Sequence, residues 1–418
     1  MRFHACYLDR NPFFVQGTWF SNALAIETAL ITAPSRAGNR IFGRALLERL
    51  IVSCERAGVK RFFIETPVGR RLELQKLLDS FRSRPEVKVV DRFDNLFAHE
   101  SGLDSEAPCI ALSGNLVFLK SHLSRVLNEA SLNPGQVRRV SSADSDSGGE
   151  ITTGPLGKLL EQAGLRTEPI RRPTRELPFA LNGRPEDREE AELRLARSLR
   201  WETADKDALM ARILDRKLSW RISLRLARTR ITPNQVTVAN TALGIACGLM
   251  FAMVGYYWHL LAAILFLASI TIDGVDGELA RLQMSETDFG GKLDLITDNI
   301  VHVAIFAGIF VGVYRSSNDP AFLYLLPIQL GGFAAAAMAT YLALRASGPR
   351  AEKWIQAVER CSGRDFAYML VGFALIDRLS WFCWGTAFGI YVFAIILMVL
   401  TVRHWRISSQ PDLSVRGS

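Results

Sequence analysis

The segment TIDGVDGELARLQMSETDFGGKLDLITDNIVH, residues 271–302, lies between two apolar stretches that are each long enough to cross a membrane. It contains seven acidic residues: Asp273, Asp276, Glu278, Glu286, Asp288, Asp294 and Asp298. A charged side chain at the centre of a membrane helix costs about 2.5–3.5 kcal/mol or more, and such residues usually mark a functional site. The segment therefore predicts a membrane protein with an acidic functional site.

Six apolar runs make up most of the chain after residue 230. They lie at 236–256, 258–277, 293–314, 321–343, 364–381 and 383–402. Each is close to the roughly 20 residues that a helix needs to cross about 30 Å of hydrocarbon. The pattern predicts an α-helical integral membrane domain with six transmembrane helices.

Lysine and arginine are unequally distributed between the loops on the two sides of these helices. The turns after the first, third and fifth runs hold at most one such residue each. The turn after the fourth run holds five, at Arg345, Arg350, Lys353, Arg360 and Arg364. The positive-inside rule places the basic side in the cytosol. We therefore expect a multi-pass protein of the inner (cytoplasmic) membrane with both termini in the cytosol.

A basic segment at residues 206–230 precedes the first apolar run and contributes to the net charge of +8. It carries an apolar stripe at helical spacing, formed by Leu209, Ile213, Leu214, Leu218, Ile222 and Leu226. The opposite side carries Arg212, Arg216, Arg221, Arg225 and Arg228. This pattern predicts a juxtamembrane amphipathic helix on an anionic membrane surface, with an ordinary basic surface helix as the alternative. The lipid bilayer, and not nucleic acid, is then the expected partner of this charge.

The spacing of the acids indicates how they are used. Asp273 and Asp276 are three residues apart, and Asp294 and Asp298 are four apart, so each pair shares one face of a helix. Two such helices packed antiparallel would bring four carboxylates together, and Mg²⁺ or Mn²⁺ would offset their repulsion. Two such ions could bind a diphosphate, while an ion path through a transporter or channel is the alternative use of these acids.

Small residues and one cation accompany the acids. Gly277, Ala280 and Gly290 leave room for a substrate beside the helices, or allow the helices to pack closely. Arg281 adds a fixed positive charge that suits a phosphate. These positions favour phosphate chemistry over an ion path.

The spacing D-x2-D-G-x2-A-R-x8-G-x3-D-x3-D resembles the signature of the CDP-alcohol phosphotransferase family, also called CDP-alcohol phosphatidyltransferases. All eight fixed positions are present, at Asp273, Asp276, Gly277, Ala280, Arg281, Gly290, Asp294 and Asp298. The resemblance covers about residues 206–406. It includes the ITPNQVT start of the first apolar run, where Thr232, Pro233 and Gln235 predict a capped helix start.

The resemblance implies an enzyme that moves a substituted phosphate from a CDP-linked donor to an alcohol acceptor and releases CMP. It implies that two Mg²⁺ or Mn²⁺ ions are bound by Asp273, Asp276, Asp294 and Asp298. Asp298 would also be the general base on the acceptor hydroxyl. The CDP site would be lined by Asp273, Asp276, Gly277, Ala280, Arg281 and Gly290. Phospholipid synthesis from CDP-diacylglycerol is the commonest function in this family, and a homodimer is the expected assembly.

The basic turn between the fourth and fifth runs has two interpretations. It can provide topology and lipid headgroup contact, as most such loops do. It can also bind the phosphate of an acceptor such as inositol phosphate or glycerol phosphate. For the second interpretation, the candidate residues are Arg360 and Arg364 at the start of the fifth run.

The first half of the chain has the pattern of a cytosolic α/β domain. AIETALITA and VKRFFIET are typical of strands, and RALLERLIVSCERAG between them has helical spacing and ends at Gly58. This β-α-β order predicts a parallel, Rossmann-like sheet with helices packed on it. The stretches IFGRALLERLIVSCERAGVKRFFIET and IALSGNLVF resemble nucleotidyltransferases that make activated sugars or alcohols.

The sequence departs from the nucleotidyltransferase pattern at two places. The loop after the first strand, APSRAGNR (33–40), lacks the Gly-rich pattern, and Asn115 stands where a metal-binding Asp is expected. An amide does not supply the anionic oxygen that a Mg²⁺ ligand usually needs. We therefore expect a degenerate domain, in which Arg36, Arg40 and Lys60 could still hold a nucleotide or a phosphate.

These patterns divide the chain into four parts. We expect a nucleotidyltransferase-like domain at 1–185, a linker and juxtamembrane helix at 186–230, the six-helix membrane domain at 231–406 and a tail at 407–418. The expected function is phospholipid synthesis by a membrane CDP-alcohol phosphotransferase. One alternative is a bifunctional cytidylyltransferase/phosphotransferase that makes and uses a soluble CDP-polyol of the inositol-phosphate type. A non-enzymatic ion-conducting protein is the alternative from another class.

Overall fold

The structure is a computed structural model. It describes residues 26–33, 39–81, 86–93, 96, 104–131, 136–141, 150–161, 179–181, 185–204, 216–345 and 366–408. These residues form two compact units. The first contains the described residues up to 202 together with 282–284, and the second contains the other described residues after 202.

The first unit is built on a six-stranded sheet. Its strands are β1 (Thr28–Thr32), β4 (Arg61–Glu65), β5 (Glu86–Val90), β6 (Pro108–Ser113), β8 (Arg138–Ser141) and β9 (Glu150–Pro155). The order across the sheet is β5-β4-β1-β6-β9-β8. The first four of these are parallel, whereas β9 is antiparallel to both β6 and β8. The expected parallel sheet is confirmed, with an antiparallel edge that the sequence pattern did not predict.

Five helices and two small strand pairs complete the first unit. The helices are α1 (Leu46–Arg56), α2 (Arg71–Asp79), α3 (Lys120–Ser131), α4 (Leu156–Glu161) and α5 (Pro185–Ala204). The strand pairs are β2 (Arg40–Ile41) with β3 (Arg44–Ala45), and β7 (Leu116–Val117) with β10 (Phe179–Ala180). The predicted helix end at Gly58 is confirmed, because this glycine has φ +105°, a conformation that L side chains rarely adopt.

The core of the first unit lies where α1 packs on the sheet. Leu47 and Ile51 of α1 are buried against Ile31, Phe62 and Ile110 of the three central strands. Strand β1 is buried at four successive residues because helices cover both faces of a parallel sheet.

The second unit is helical. Its helices are α6 (Arg216–Ala227), α7 (Pro233–Phe251), α8 (Tyr256–Gln283), α9 (Asp288–Ser317), α10 (Ala321–Arg345), α11 (Phe366–Leu375) and α12 (Leu379–Ser408). Among the described residues, α8, α9, α10 and α12 are long and apolar enough to cross a membrane. Four of the six predicted spans are therefore confirmed by length and composition. The first predicted span corresponds to the more polar α7, and the fifth contains the ten-residue α11.

Helices α7 and α9 pack backbone against backbone through glycines. A Cβ added at Gly248 of α7 would lie 2.6 Å from the carbonyl oxygen of Ala304 of α9. A Cβ at Gly308 or Gly312 of α9 would overlap backbone carbonyl groups of α7. Gly244 and Gly248 of α7 are four residues apart, and so are Gly308 and Gly312 of α9. This spacing of small residues allows close packing of helices in membranes. The pairing also shows that α7 and α9 run in the same direction.

An aromatic cluster forms the centre of the helical unit. The ring of Phe306 on α9 contacts the rings of Phe333, Phe366 and Phe382, which belong to α10, α11 and α12. Phe366 of α11 thus contacts the core formed by the longer helices. This packing fixes the positions of the helices that carry the acids.

One face of the basic helix α6 is buried in the protein. Small residues face the protein: Ser219, Ser223 and Ala227 are at most 2% exposed. Leu218 of the predicted apolar stripe is 53% exposed, while Arg221, Arg225 and Arg228 are exposed on another side. Within the described residues, the predicted apolar stripe is thus exposed at Leu218 and half-buried at Ile222 and Leu226.

Candidate metal and nucleotide site

Three aspartates of the predicted site come together between α8 and α9. One carboxylate oxygen from each of Asp273, Asp294 and Asp298 lies within 4.8 Å of the others. All three side chains are partly exposed, so a ligand can reach them. Asp294 and Asp298 are one helical turn apart on α9, and Asp273 is on the antiparallel helix α8. This is the convergence that the spacing predicted.

Asp276 is turned toward α7 and is not one of these three. Its carboxylate accepts hydrogen bonds from the Thr237 hydroxyl at 2.5 Å and from the Gly277 backbone N–H. The side chain is 7% exposed. The prediction that all four carboxylates meet at one point is therefore corrected: three form the group, and a third helix holds the fourth beside it.

Polar residues of α7 support this arrangement, although sequence reasoning had placed no site residue there. Thr237 holds Asp276, and Asn240 accepts a hydrogen bond from Ser269 of α8 at 2.8 Å. The ordered start of α7 is confirmed, because the Thr232 backbone N–H donates to the Gln235 side chain at 3.0 Å. A signal was present in the sequence, since polar residues at 234, 237, 240 and 241 recur at helical spacing in an otherwise apolar run.

The small residues and the cation of the motif lie beside the acids. A Cβ added at Gly277 would be 3.6 Å from the guanidinium of Arg281, so this cation lies over the glycine. A Cβ at Gly290 would be only 3.1 Å from the side-chain oxygen of Asn234 on α7. Gly277 thus leaves room for the Arg281 guanidinium to lie over the helix, whereas Gly290 allows two helices to approach. Ala280 is half-buried on α8 between them in sequence.

The start of α9 is held by a side-chain cap. The Thr287 hydroxyl accepts a hydrogen bond from the Gly290 backbone N–H at 3.0 Å. Because this cap sets where the helix begins, it also sets the turn on which Asp294 and Asp298 lie. The acids are therefore built on two regular helices with defined ends and not on a loop.

The donor set fits a hard divalent cation. Three carboxylates at this separation repel one another strongly wherever water is partly excluded. Mg²⁺ and Mn²⁺ prefer carboxylate oxygens, and a carboxylate can accept protein hydrogen bonds and still offer a lone pair to a metal. Asp276 can accordingly keep its bonds to α7 and still act as a ligand.

The other candidate residues fall into two groups. The candidate acceptor residues Arg360 and Arg364 lie outside the described residues, and so does Arg36. Arg40 is exposed on the first unit, and Lys60 forms an ion pair with Glu27. This hydrogen-bonded lysine lowers the pKa of the Glu27 carboxyl below its ordinary value.

Asn115 is used in internal bonds of the first unit. Its side-chain oxygen accepts from the Ser113 hydroxyl at 2.6 Å, and its amide nitrogen donates to the Leu181 carbonyl at 3.2 Å. The Asn115 backbone carbonyl also accepts from the Leu181 N–H. The residue therefore connects β6 to the segment around β10.

Residues 230–407 match the family model for CDP-alcohol phosphatidyltransferase. The chain is 35% identical over 144 residues to the bifunctional IPC transferase and DIPP synthase of Thermococcus kodakarensis, covering 34% of this chain and 32% of that protein. It is 34% identical over 101 residues to the phosphatidylinositol phosphate synthase of Mycolicibacterium smegmatis, covering 24% of this chain and 45% of that one. The chain thus spans less than half the length of each of these relatives.

Several solved structures match part of the chain. One of them is the inositol-1-phosphate CTP transferase from T. maritima, at 14% identity with a TM-score of 0.27. The match covers 34% of this chain and 74% of that one.

Proposed function

We propose that this chain, which carries a CDP-alcohol phosphatidyltransferase domain at residues 230–407, is a membrane enzyme that transfers a substituted phosphate from a CDP-linked donor to an alcohol and releases CMP. The observation that carries the proposal is the carboxylate group of Asp273, Asp294 and Asp298, within 4.8 Å of one another on two antiparallel helices. CDP-diacylglycerol is the proposed donor, because the site lies in helices that are apolar enough to cross a membrane.

Each residue of the site has its own proposed role in the reaction. Asp273, Asp276 and Asp294 would hold the divalent cations, with Asp298 at the edge of the same group. When bound, such a cation neutralises negative charge on the diphosphate. Arg281 adds a further positive charge directly over Gly277. Together with Ala280 and Gly290, these residues form the proposed CDP site.

Asp298 is the proposed general base. The acceptor hydroxyl oxygen bonds to the phosphorus that carries the substituent, and the bond from that phosphorus to the CMP oxygen breaks. The hydroxyl proton passes to the Asp298 carboxylate and then to solvent, while CMP leaves with the bond electrons. The partly exposed carboxylate lies close enough to Asp294 to meet an acceptor oxygen at the same phosphate.

Several finer features belong to the same proposal. We propose two Mg²⁺ or Mn²⁺ ions, a homodimer, Arg360 and Arg364 as acceptor-phosphate residues, and six spans in the inner membrane with both termini cytosolic.

The common direction of α7 and α9 supports the topology, since it requires the intervening α8 to return across the membrane. Cysteines introduced at Glu286 and Asn318 should react with an impermeant maleimide from opposite sides of sealed vesicles; labelling from one side contradicts the topology.

The experiment that tests the activity uses purified protein in lipid with Mn²⁺ or Mg²⁺. It supplies CDP-diacylglycerol with inositol phosphate, glycerol phosphate or serine and follows CMP release. Alcohol-dependent release is expected, and Asp298→Asn should lower it by about 100- to 10,000-fold, the usual contribution of a general base. The matched control is Asp377→Asn, at an exposed turn residue with φ +55° that asparagine adopts readily. No CMP release with any acceptor would contradict the proposal.

A second candidate is the bifunctional enzyme, favoured by the printed name of the Thermococcus kodakarensis relative. In that case the first unit would form a CDP-polyol from CTP and a polyol phosphate, and the membrane unit would use it. The internal bonds of Asn115 argue against a metal ligand at this position. CTP consumption with inositol phosphate, which is measured separately from CMP release, distinguishes the two candidates.

A further inference from the structure

Glu278 is a buried acid in the middle of the motif, but it is not one of the motif's fixed positions. It lies on α8 between Asp276-Gly277 and Ala280-Arg281 and is 1% exposed. An isolated buried carboxylate is very unfavourable unless hydrogen bonds satisfy it. Its presence inside a helical membrane unit therefore needs a structural reason.

The reason is a pair of hydrogen bonds from α6. The Ser219 hydroxyl donates to one carboxylate oxygen of Glu278 at 3.0 Å, and the Ser223 hydroxyl donates to the other at 2.7 Å. Both serines are at most 2% exposed. Both carboxyl oxygens of Glu278 thus have a donor, and hydrogen bonds weaken when the angle between donor and acceptor is poor.

These bonds set the rotation of α6 about its own axis. Ser219, Ser223 and Ala227 recur every four residues, so they lie on one face, and that face meets α8. With this face against the protein, the half-buried apolar residues and the exposed arginines of α6 occupy the remaining sides. A helix held only by apolar contact could rotate or slide more easily, because apolar contact is not directional.

We propose that Glu278 is a positioning residue for the CDP-linked donor: its two serine bonds clamp α6 to α8 and hold the turn from Gly277 to Arg281 in its binding geometry. The inference rests on the proposed function, because it assumes that this turn binds a cytidine diphosphate group. Arg281 follows Glu278 by three residues and Gly277 precedes it directly, so a shift of this turn displaces both. Asp298 on the separate helix α9 is not moved by the clamp.

The test removes the clamp from the serine side. The variants are Ser219→Ala, Ser223→Ala and the double variant, together with Glu278→Gln. If Glu278→Gln does not fold, the single serine variants still allow the test. The matched control is Ser317→Ala, which removes a serine whose hydroxyl donates to the Val313 carbonyl of its own helix and accepts from the nearby Asp319 backbone N–H.

Two readouts are needed. The first is the affinity for CDP in the presence of Mn²⁺, together with KM and kcat for the donor. The second is the maleimide labelling rate of Ala227→Cys, a position that is fully buried while α6 is docked. The rate in the same protein without this cysteine is subtracted.

We expect the double variant to bind CDP about tenfold or more weakly and to raise KM for the donor, with kcat retained. Its Ala227→Cys thiol should label faster than that of the parent. Faster labelling with unchanged CDP affinity would overturn the inference and leave Glu278 a structural contact only. Unchanged labelling would overturn the clamp itself. A parent that binds no CDP with Mn²⁺ would overturn the proposed function, and the inference with it.

Discussion

The two units each carry polar residues at the place where sequence patterns predict a metal ligand, but the two places differ in charge. In the helical unit, oxygens of Asp273, Asp294 and Asp298 face one another and are partly exposed. In the α/β unit, both side-chain polar atoms of Asn115 bond to Ser113 and Leu181. A carboxylate that accepts protein hydrogen bonds still offers a charged oxygen to a divalent cation, whereas the oxygen of a neutral amide carries no such charge.

The largest effect is expected from the helical unit. Asp294→Asn should weaken Mn²⁺ binding and reduce CMP release by about 100-fold or more, because an amide oxygen carries no charge for the cation. Mn²⁺ binding can be followed by its electron paramagnetic resonance signal. Asp377→Asn serves again as the control. If Asp294→Asn binds Mn²⁺ as tightly as the parent protein, this aspartate is not a metal ligand. The two units would then not differ at their predicted ligand positions in the way described.

A large loss of stability is expected where α7 and α9 meet. In Gly308→Ala, the new Cβ would overlap the carbonyl of Gly248, so the helices must separate. We expect a loss of about 1–3 kcal/mol in stability, seen as a lower Tm in detergent, and reduced Mn²⁺ affinity because α9 carries two of the acids. Gly385→Ala is the matched control, since its Cβ would meet no atom within 4 Å. Equal Tm values for the two variants would contradict the close packing.

A smaller effect is expected at Asn115. Asn115→Asp keeps the acceptor for Ser113 but replaces the amide donor with an oxygen that faces the Leu181 carbonyl. We expect about 0.5–1.5 kcal/mol of destabilisation of the first unit, the usual net contribution of one hydrogen bond, and no gain of CTP consumption. Urea unfolding of the first unit and a pyrophosphate-release assay measure the two results. A gain of CTP-dependent activity would show that only the charge was missing.

The smallest effect is expected at Lys60. Lys60→Gln should cost only about 0.2–1 kcal/mol at pH 7, because the ion pair with Glu27 is exposed. The pKa of Glu27 is lowered in the folded state, so the ion pair contributes stability above the ordinary pKa of a glutamate. That contribution is lost as the pH falls through the lowered value. Unfolding curves of both proteins at pH 7 and pH 3 check this, and a difference that persists at pH 3 would contradict it.

The local features of this protein were determined by the sequence alone. The spacing of Asp294 and Asp298 places them one turn apart on any helix, and the antiparallel order of α8 and α9 follows from two spans joined by a short turn. Thr232 and Gln235 predicted the start of α7, and the strand-helix-strand pattern predicted β1, α1 and β4. Each of these depends on residues that are close in sequence, so periodicity and capping are sufficient to find it.

Only the tertiary structure decided which partner each polar group takes. Asp276 and Asp273 belong to one motif, yet Asp276 is not one of the group of three and its carboxylate accepts a hydrogen bond from Thr237 of α7. Likewise, α6 presents Ser219 and Ser223 to the protein because the Glu278 carboxyl group of α8 accepts hydrogen bonds from their hydroxyls, while Leu218 is exposed. The reason is physical: a buried polar group must find a hydrogen-bond partner, and the partner lies on another helix far away in sequence.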